Sequence, residues 1–101
     1  MKIIWSPLAL ERVREIARYI AKDKPSAADK WVKELFKIVA RLALHPRSCR
    51  VVPELSREDM REVIYGSYRV IYRISDEIDI LTVRHSRQLL DIGEIVDSDR
   101  T

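Results

Sequence analysis

The chain has 101 residues, 47% apolar and 35% charged, with a formal net charge of +3. That is the length of one domain, able to bury a core without disulfides or metal and too apolar to stay disordered. No apolar run approaches the roughly 20 residues of a membrane span. The start, Met1-Lys2-Ile3-Ile4-Trp5, lacks the long apolar region of a secretion signal, so a cytoplasmic protein is expected.

Lys2 to Trp5 reads as a short strand. Ser6-Pro7 then starts a helix, because the hydroxyl caps free N–H groups and proline loses nothing at the first helical position. Leu10, Val13, Ile16, Ala17 and Ile20 recur at helical spacing to about Lys22. Pro25 restarts the pattern, with Ala28, Trp31, Leu35, Ile38 and Leu42 as one stripe and Val32, Phe36, Val39 and Ala43 widening it. Pro46 ends this second helix. Its apolar girth exceeds what one sheet covers, so part of it is expected either to meet a protein partner or to pack between the first helix and the sheet.

The second half changes period. Met60 to Tyr65, Tyr68 to Ser75 and Ile78 to His85 are β-branched and aromatic runs, separated by Gly66-Ser67 and by Asp76-Glu77. They predict an antiparallel meander. In the middle strand Tyr68, Val70, Tyr72 and Ile74 share one face, expected under the helices; Arg69, Ile71, Arg73 and Ser75 share the other, expected to be open and cationic. Residues 86–97 carry a weak helical spacing broken by Gly93. The fold class is therefore α+β in the order β-α-α-β-β-β, a helical hairpin on one face of a small, mostly antiparallel sheet. The first strand is expected to pair in parallel with a later one, since two helices intervene.

Familiar catalytic sites are hard to place on this chain. Gly66 and Gly93 do not form a phosphate loop, and Cys49 stands alone, so neither a disulfide nor a thiolate cluster is available. No metal site and no cofactor are expected. A nucleophilic pair of Cys49 with His85 is formally open, but a buried structural cysteine is the better reading. Charge is unevenly spread: residues 1–50 carry +7, residues 51–101 carry −4, and the last eleven carry −3. A basic body with an acidic tail suits an anionic partner. Arg61, Arg69, Arg73 and Arg84 fall on successive strands, with Arg47, Arg50 and Arg87 beside them. Such arginines either bind phosphate or carboxylate on a partner or, for Arg61 and Arg69, pair internally with Glu54, Glu58 or Glu62. His85 is open to proton transfer or to a structural role.

The stretches Val52-Pro53-Glu54-Leu55, Met60-Arg61-Glu62-Val63-Ile64, Gly66-Ser67-Tyr68-Arg69-Val70-Ile71-Tyr72-Arg73-Ile74 and Ile80-Leu81-Thr82-Val83-Arg84-His85 resemble the ParE/RelE superfamily of toxin–antitoxin toxins. Trp5-Ser6-Pro7, Tyr19-Ile20-Ala21, Pro25, Ala27-Ala28 and the segment from Leu42 to Pro46 agree. The resemblance implies a toxin domain over residues 1–90 and an acidic tail over 91–101. It also implies a cognate antitoxin that blocks the toxin, with no membrane involved. One branch cleaves mRNA on the ribosome; the other, ParE-like, inhibits DNA gyrase. Against the ribonuclease pattern only Arg69 matches, since Met60 and Glu62 stand at the lysine positions and Ile92 near the tail tyrosine. In a second ribonuclease subgroup Glu54 and His85 would correspond loosely, but no tyrosine follows His85. Val83-Arg84-His85-Ser86-Arg87 is more similar to ParE.

The expected function is accordingly gyrase inhibition, without enzymatic chemistry, and the alternative is a ribosome-dependent mRNA endonuclease using Arg69, Arg84 and His85. The target surface is expected at Arg61, Arg69, Arg73, Arg84, His85 and Arg87. The antitoxin is expected between the two helices, on Leu10, Val13, Val32, Phe36 and Val39, and at a sheet edge. A toxin freed of its antitoxin would then expose apolar surface, so a homodimer or a toxin–antitoxin hetero-oligomer is an expectation. The acidic tail is expected to shield the basic face.

Overall fold

The computed structural model describes residues 1–88 and Ile95. Strand β1 (Ile3–Trp5) leads into helix α1 (Pro7–Asp23), and helix α2 (Pro25–Ala40) continues into a 3-10 turn at Arg41–Ala43. Four strands follow: β2 (Arg50–Val51), β3 (Met60–Tyr65), β4 (Tyr68–Ile74) and β5 (Ile78–His85). The expected helices and the three long strands are present, and β2 is an addition. The predicted helix over 86–97 lies outside the described residues except at 86–88 and 95.

Ser6 joins the two layers. Its Oγ accepts from the Ala9 N–H (3.0 Å), capping α1, and donates to the Leu81 carbonyl (2.9 Å). Its own N–H donates to the Ile80 carbonyl (3.0 Å), so the start of α1 is fixed on β5. The helices are separated by one extended residue, Lys24 (φ −151°), whose N–H closes α1 on the Ile20 carbonyl while Pro25 opens α2. Gly66 takes φ +57° at the first of two loop positions between β3 and β4, where a type II′ hairpin turn places glycine.

The sheet order is β1-β5-β4-β3-β2. β1 pairs with β5 in parallel, Ile3 opposite Ile78 and Trp5 opposite Ile80, as the intervening helices require. The other pairings are antiparallel. Register shifts between β4 and β5: Ile71 faces Thr82 but Tyr72 faces Ile80, which leaves Leu81 as an extra residue. The bulge lets Ile78, Ile80 and Val83 all reach the helix side although their spacing breaks strict alternation.

Ala9, Val13, Leu35, Val39 and Leu42 meet Val70, Tyr72, Ile74, Ile78, Ile80 and Val83 in the main core. The other face of the sheet differs from expectation. It carries a second apolar cluster of Val52, Met60, Ile71, Leu81 and Ile95, flanked by Leu55, rather than an open cationic surface. The loop after β2 supplies Val52 and Leu55, so Ile71 is fully buried between two arginines of its own strand. Among the described residues, no helix is long and apolar enough to cross a membrane.

Candidate functional site

Arg69, Arg73 and Arg84 lie on the outer face of the sheet, whereas Arg61 stands opposite the core residue Tyr72 on the helix side, and acids claim Arg61, Arg69 and Arg73. Arg69, 4% exposed, donates through Nε to Glu62 (2.8 Å) and through both terminal nitrogens to Glu54 (2.7 and 2.8 Å). It also reaches the Gln88 carbonyl at 3.3 Å. The Glu62 side chain is fully buried and is held on its other side by Arg50. Hydrogen bonds from Arg69 to Glu54, opposed by burial and reinforced by Glu62, hold the Arg69 guanidinium above its already high ordinary pKa. Arg61, 9% exposed, donates to the Cys49 carbonyl (2.9 Å), the Arg47 carbonyl (3.3 Å), and both the carbonyl (2.9 Å) and carboxylate (2.7 Å) of Glu58. Arg73 pairs with Asp79 at 3.0 Å. Of the two readings open for Arg61 and Arg69, the internal pairing is the one observed. Neither presents its charge at the surface.

The end of β5 is more accessible. Arg84 and His85 are half-buried and Arg87 is exposed. Across the sheet Arg84 pairs with Arg69 and His85 with Tyr68. Strand alternation therefore puts Arg69 and Arg84 on the outer face and His85 with Tyr68 on the helix face. Arg84 and His85 nevertheless border one cleft at the strand end, and Arg69, buried in its own carboxylate pair, is the member that does not join them.

His85 stands edge-on to Tyr68, with ring centroids 5.7 Å apart, and Tyr68 contacts Trp31 in the same manner at 5.4 Å. The Arg87 N–H donates to His85 Nδ1 at 3.1 Å. That contact occupies Nδ1 and leaves Nε2 as the ring nitrogen open to a partner. Arg12, Glu15, Ile16, Tyr68, His85 and Gln88 line a cleft of about 310 Å³ between α1 and this strand end, which Arg84 also borders. Cys49 lines a separate cleft of about 270 Å³ with His45 and Arg41, so the Cys49–His85 pair is not assembled. Cys49 itself is half-buried.

The residues expected to meet an antitoxin divide by depth. Val13 (5% exposed) and Val39 (1%) belong to the main core and are unavailable without unfolding. Leu10 and Val32 are half-buried, while Phe36 is exposed and packs on Trp5 with ring centroids 4.7 Å apart. The helical pattern could not separate these depths, because both stripes of α2 are equally apolar. Sequence reasoning also passed over Tyr19, Leu44 and Ile64, large apolar residues left exposed.

Burial also acts on the tyrosines. Tyr72, whose hydroxyl donates to the Pro46 carbonyl at 2.7 Å, has its pKa pushed well up by burial and then by hydrogen bonding to Cys49. Burial and then the Glu34 charge raise that of Tyr65. A phenol with a raised folded pKa gives its full stabilisation below its ordinary value and loses it as the pH rises beyond. Stability should therefore fall above about pH 10, and Tyr72→Phe should flatten that decline in urea unfolding from about pH 8 to about pH 12. Parallel curves for the two proteins would contradict the assignment.

The protein is thus a two-helix hairpin on a five-stranded sheet whose last strand ends in Arg84-His85-Ser86-Arg87. Residues 3–90 match the family model for the ParE toxin of the type II toxin–antitoxin system parDE, and the chain belongs to that family. It is similar to Y4kP of Sinorhizobium fredii, a candidate toxin by name, with 39% identity over 89 residues covering 86% of this chain and 90% of that protein. A solved chromosomal ParDE toxin–antitoxin system from P. aeruginosa shares the fold, with a TM-score of 0.68 over 84% of this chain and 95% of that one, at 20% identity.

Proposed function

We propose that this ParE-type toxin acts by binding DNA gyrase and inhibiting it, in the cytoplasm, and that a cognate antitoxin neutralises it. The observation that carries this reading is the burial of Arg69. The one arginine that fits the ribonuclease pattern is clasped by Glu54 and Glu62, and a guanidinium in that position cannot reach a phosphorane. Arg84 and His85 border one cleft, but Arg69 faces away from it into its own carboxylate pair, so the three do not form one set. Inhibition then depends on protein contacts, for which Arg84 and Arg87, flanking His85 at the strand end, supply the charge.

The antitoxin surface is assigned to the band that remains accessible on the helices: Leu10, Val32 and Phe36, with Trp5 beneath.

Two variants test the reading. Arg84→Glu/Arg87→Glu should need at least about tenfold more protein to inhibit supercoiling, because reversed rim charge opposes encounter. Inhibition at the unmodified concentration would overturn the surface assignment. His85→Ala should still arrest growth, whereas a proton-transferring His85 would make the variant harmless.

A further inference from the structure

Charge in this domain is segregated by layer. Residues 1–47 hold eleven basic and five acidic side chains, a net +6, whereas residues 48–88 hold seven of each and balance. The kind of cation differs as well. All six lysines of the chain lie in the first 47 residues, and five of them fall between Lys22 and Lys37. Among the sheet arginines, Arg61, Arg69 and Arg73 are paired with acids. On the helical layer Lys22, Lys24, Lys30, Lys33 and Arg41 are exposed, and none of them has an ion-pair partner among the described residues.

On α2 these cations form a row. Lys30, Lys33, Lys37 and Arg41 recur at three- and four-residue spacing, opposite the buried Ala28, Leu35 and Val39. Arg41 keeps right-handed helical angles (φ −65°, ψ −23°), so the row runs on into the 3-10 turn. Glu34 touches the row 3.7 Å from Lys37, in a loose pair whose lysine stays 68% exposed. From Lys30 to Arg41 the row extends about 16 Å. Duplex DNA carries roughly ten charges over that length and is stiff, so it can meet the row without first being ordered.

We propose that the helical layer of this toxin binds duplex DNA through the phosphate backbone, without sequence preference. Lysine is a compact, hydrated point charge on a flexible stem, which suits phosphates met in no fixed register. Protein interfaces show the opposite preference, with lysine depleted and arginine and aromatic residues enriched, so an acidic protein is the poorer fit. The DNA is held and not cut. This contact stands apart from the gyrase reading, whose charge comes from the end of β5.

The test is fluorescence anisotropy of two labelled duplexes of about 24 base pairs and unrelated sequence, titrated with the full chain free of antitoxin. Both should bind equally, with Kd of about 10 μM near physiological salt and a slope of log affinity against log salt of about −3.6, for four phosphate contacts. Lys30→Gln/Lys33→Gln should flatten the slope by about 1.8 and weaken binding at least about tenfold. Arg57→Gln/Arg87→Gln removes the same net charge from outside the helices and should stay within about twofold of the unmodified chain. Equal weakening by the two pairs would overturn the proposal, since net charge alone would then explain binding. So would a marked preference for one duplex. Poly-glutamate of matched charge that binds as tightly, and is lost with Lys30 and Lys33, would overturn it in favour of an acidic protein. If Lys30→Gln/Lys33→Gln lowers the unfolding midpoint, Lys37→Gln/Arg41→Gln carries the comparison: the same loss supports the row, and retained binding rejects it.

Discussion

Replacing Arg69 with alanine should destabilise the domain by about 3–5 kcal/mol, as removal of one member of a buried ion pair does. Glu62 is fully buried and, among the described residues, would keep the largely exposed Arg50 as its cationic partner; Glu54 would lose both of its bonds to the guanidinium. Because a domain of this size has only about 5–15 kcal/mol in total, the variant should populate unfolded chain under mild conditions. Arg69→Lys should recover little, since a single ammonium cannot span Glu54 and Glu62 together. The double variant Arg69→Met/Glu62→Leu should be more stable than Arg69→Ala, because it removes the stranded charge along with its partner. Urea unfolding of the four proteins decides this. A loss under about 1 kcal/mol for Arg69→Ala would mean that the network is loosely held and that Arg69 is free for other work.

Leu35→Ala should have an effect of similar size, about 2–5 kcal/mol, by a different cause. Leu35 is fully buried where α2 meets the sheet, among Val39, Leu42, Val70 and Tyr72. Its removal leaves a cavity that two layers pinned by the Ser6 bonds cannot readily collapse. The next residue, Phe36, is 38% exposed, so Phe36→Ala should cost much less despite removing a larger side chain. Thermal unfolding of the pair distinguishes the two roles, with Leu35→Ala lowering the midpoint by more than about 10 °C. Comparable losses at the two positions would show that Phe36 is core and not surface available to an antitoxin.

How much of this was legible in the sequence depends on how local the signal is. β3 and β5 have the expected ends, because β-branched runs stop at Gly66-Ser67 and start after Asp76-Glu77. The helix starts at Pro7 and Pro25 were equally plain, being set by proline itself. β2 was missed because two residues, Arg50 and Val51, carry no period. The bulge at Leu81 was missed because pairing between β4 and β5 is not written in either strand alone.

The candidate site was the least legible part. Alternation correctly placed Arg69 and Arg73 on the face away from the helices, but said nothing of what else lies there. The acid that neutralises Arg69 sits on the neighbouring strand, a second comes from a loop fifteen positions earlier, and Ile71 is covered from segments as distant as Val52 and Ile95. Glu54, Glu58 and Glu62 are the internal partners that the sequence offers Arg61 and Arg69 beside the open-surface alternative. The signal that favours pairing is a glutamate in the middle of an apolar strand, Met60-Arg61-Glu62-Val63, since such a residue is rarely buried without a cation. The depth difference between Val39 and Val32 had no counterpart in residue type, so the partner-facing band needed coordinates.

The central claim is that this toxin works through a protein target and leaves RNA intact. The most direct measurement is a paired assay on toxin freshly released from its antitoxin: gyrase supercoiling of plasmid DNA beside primer-extension mapping of mRNA on translating ribosomes. The account predicts inhibited supercoiling with uncut mRNA. Cuts at codon positions with normal supercoiling would contradict it and return the catalytic role to the β5 end.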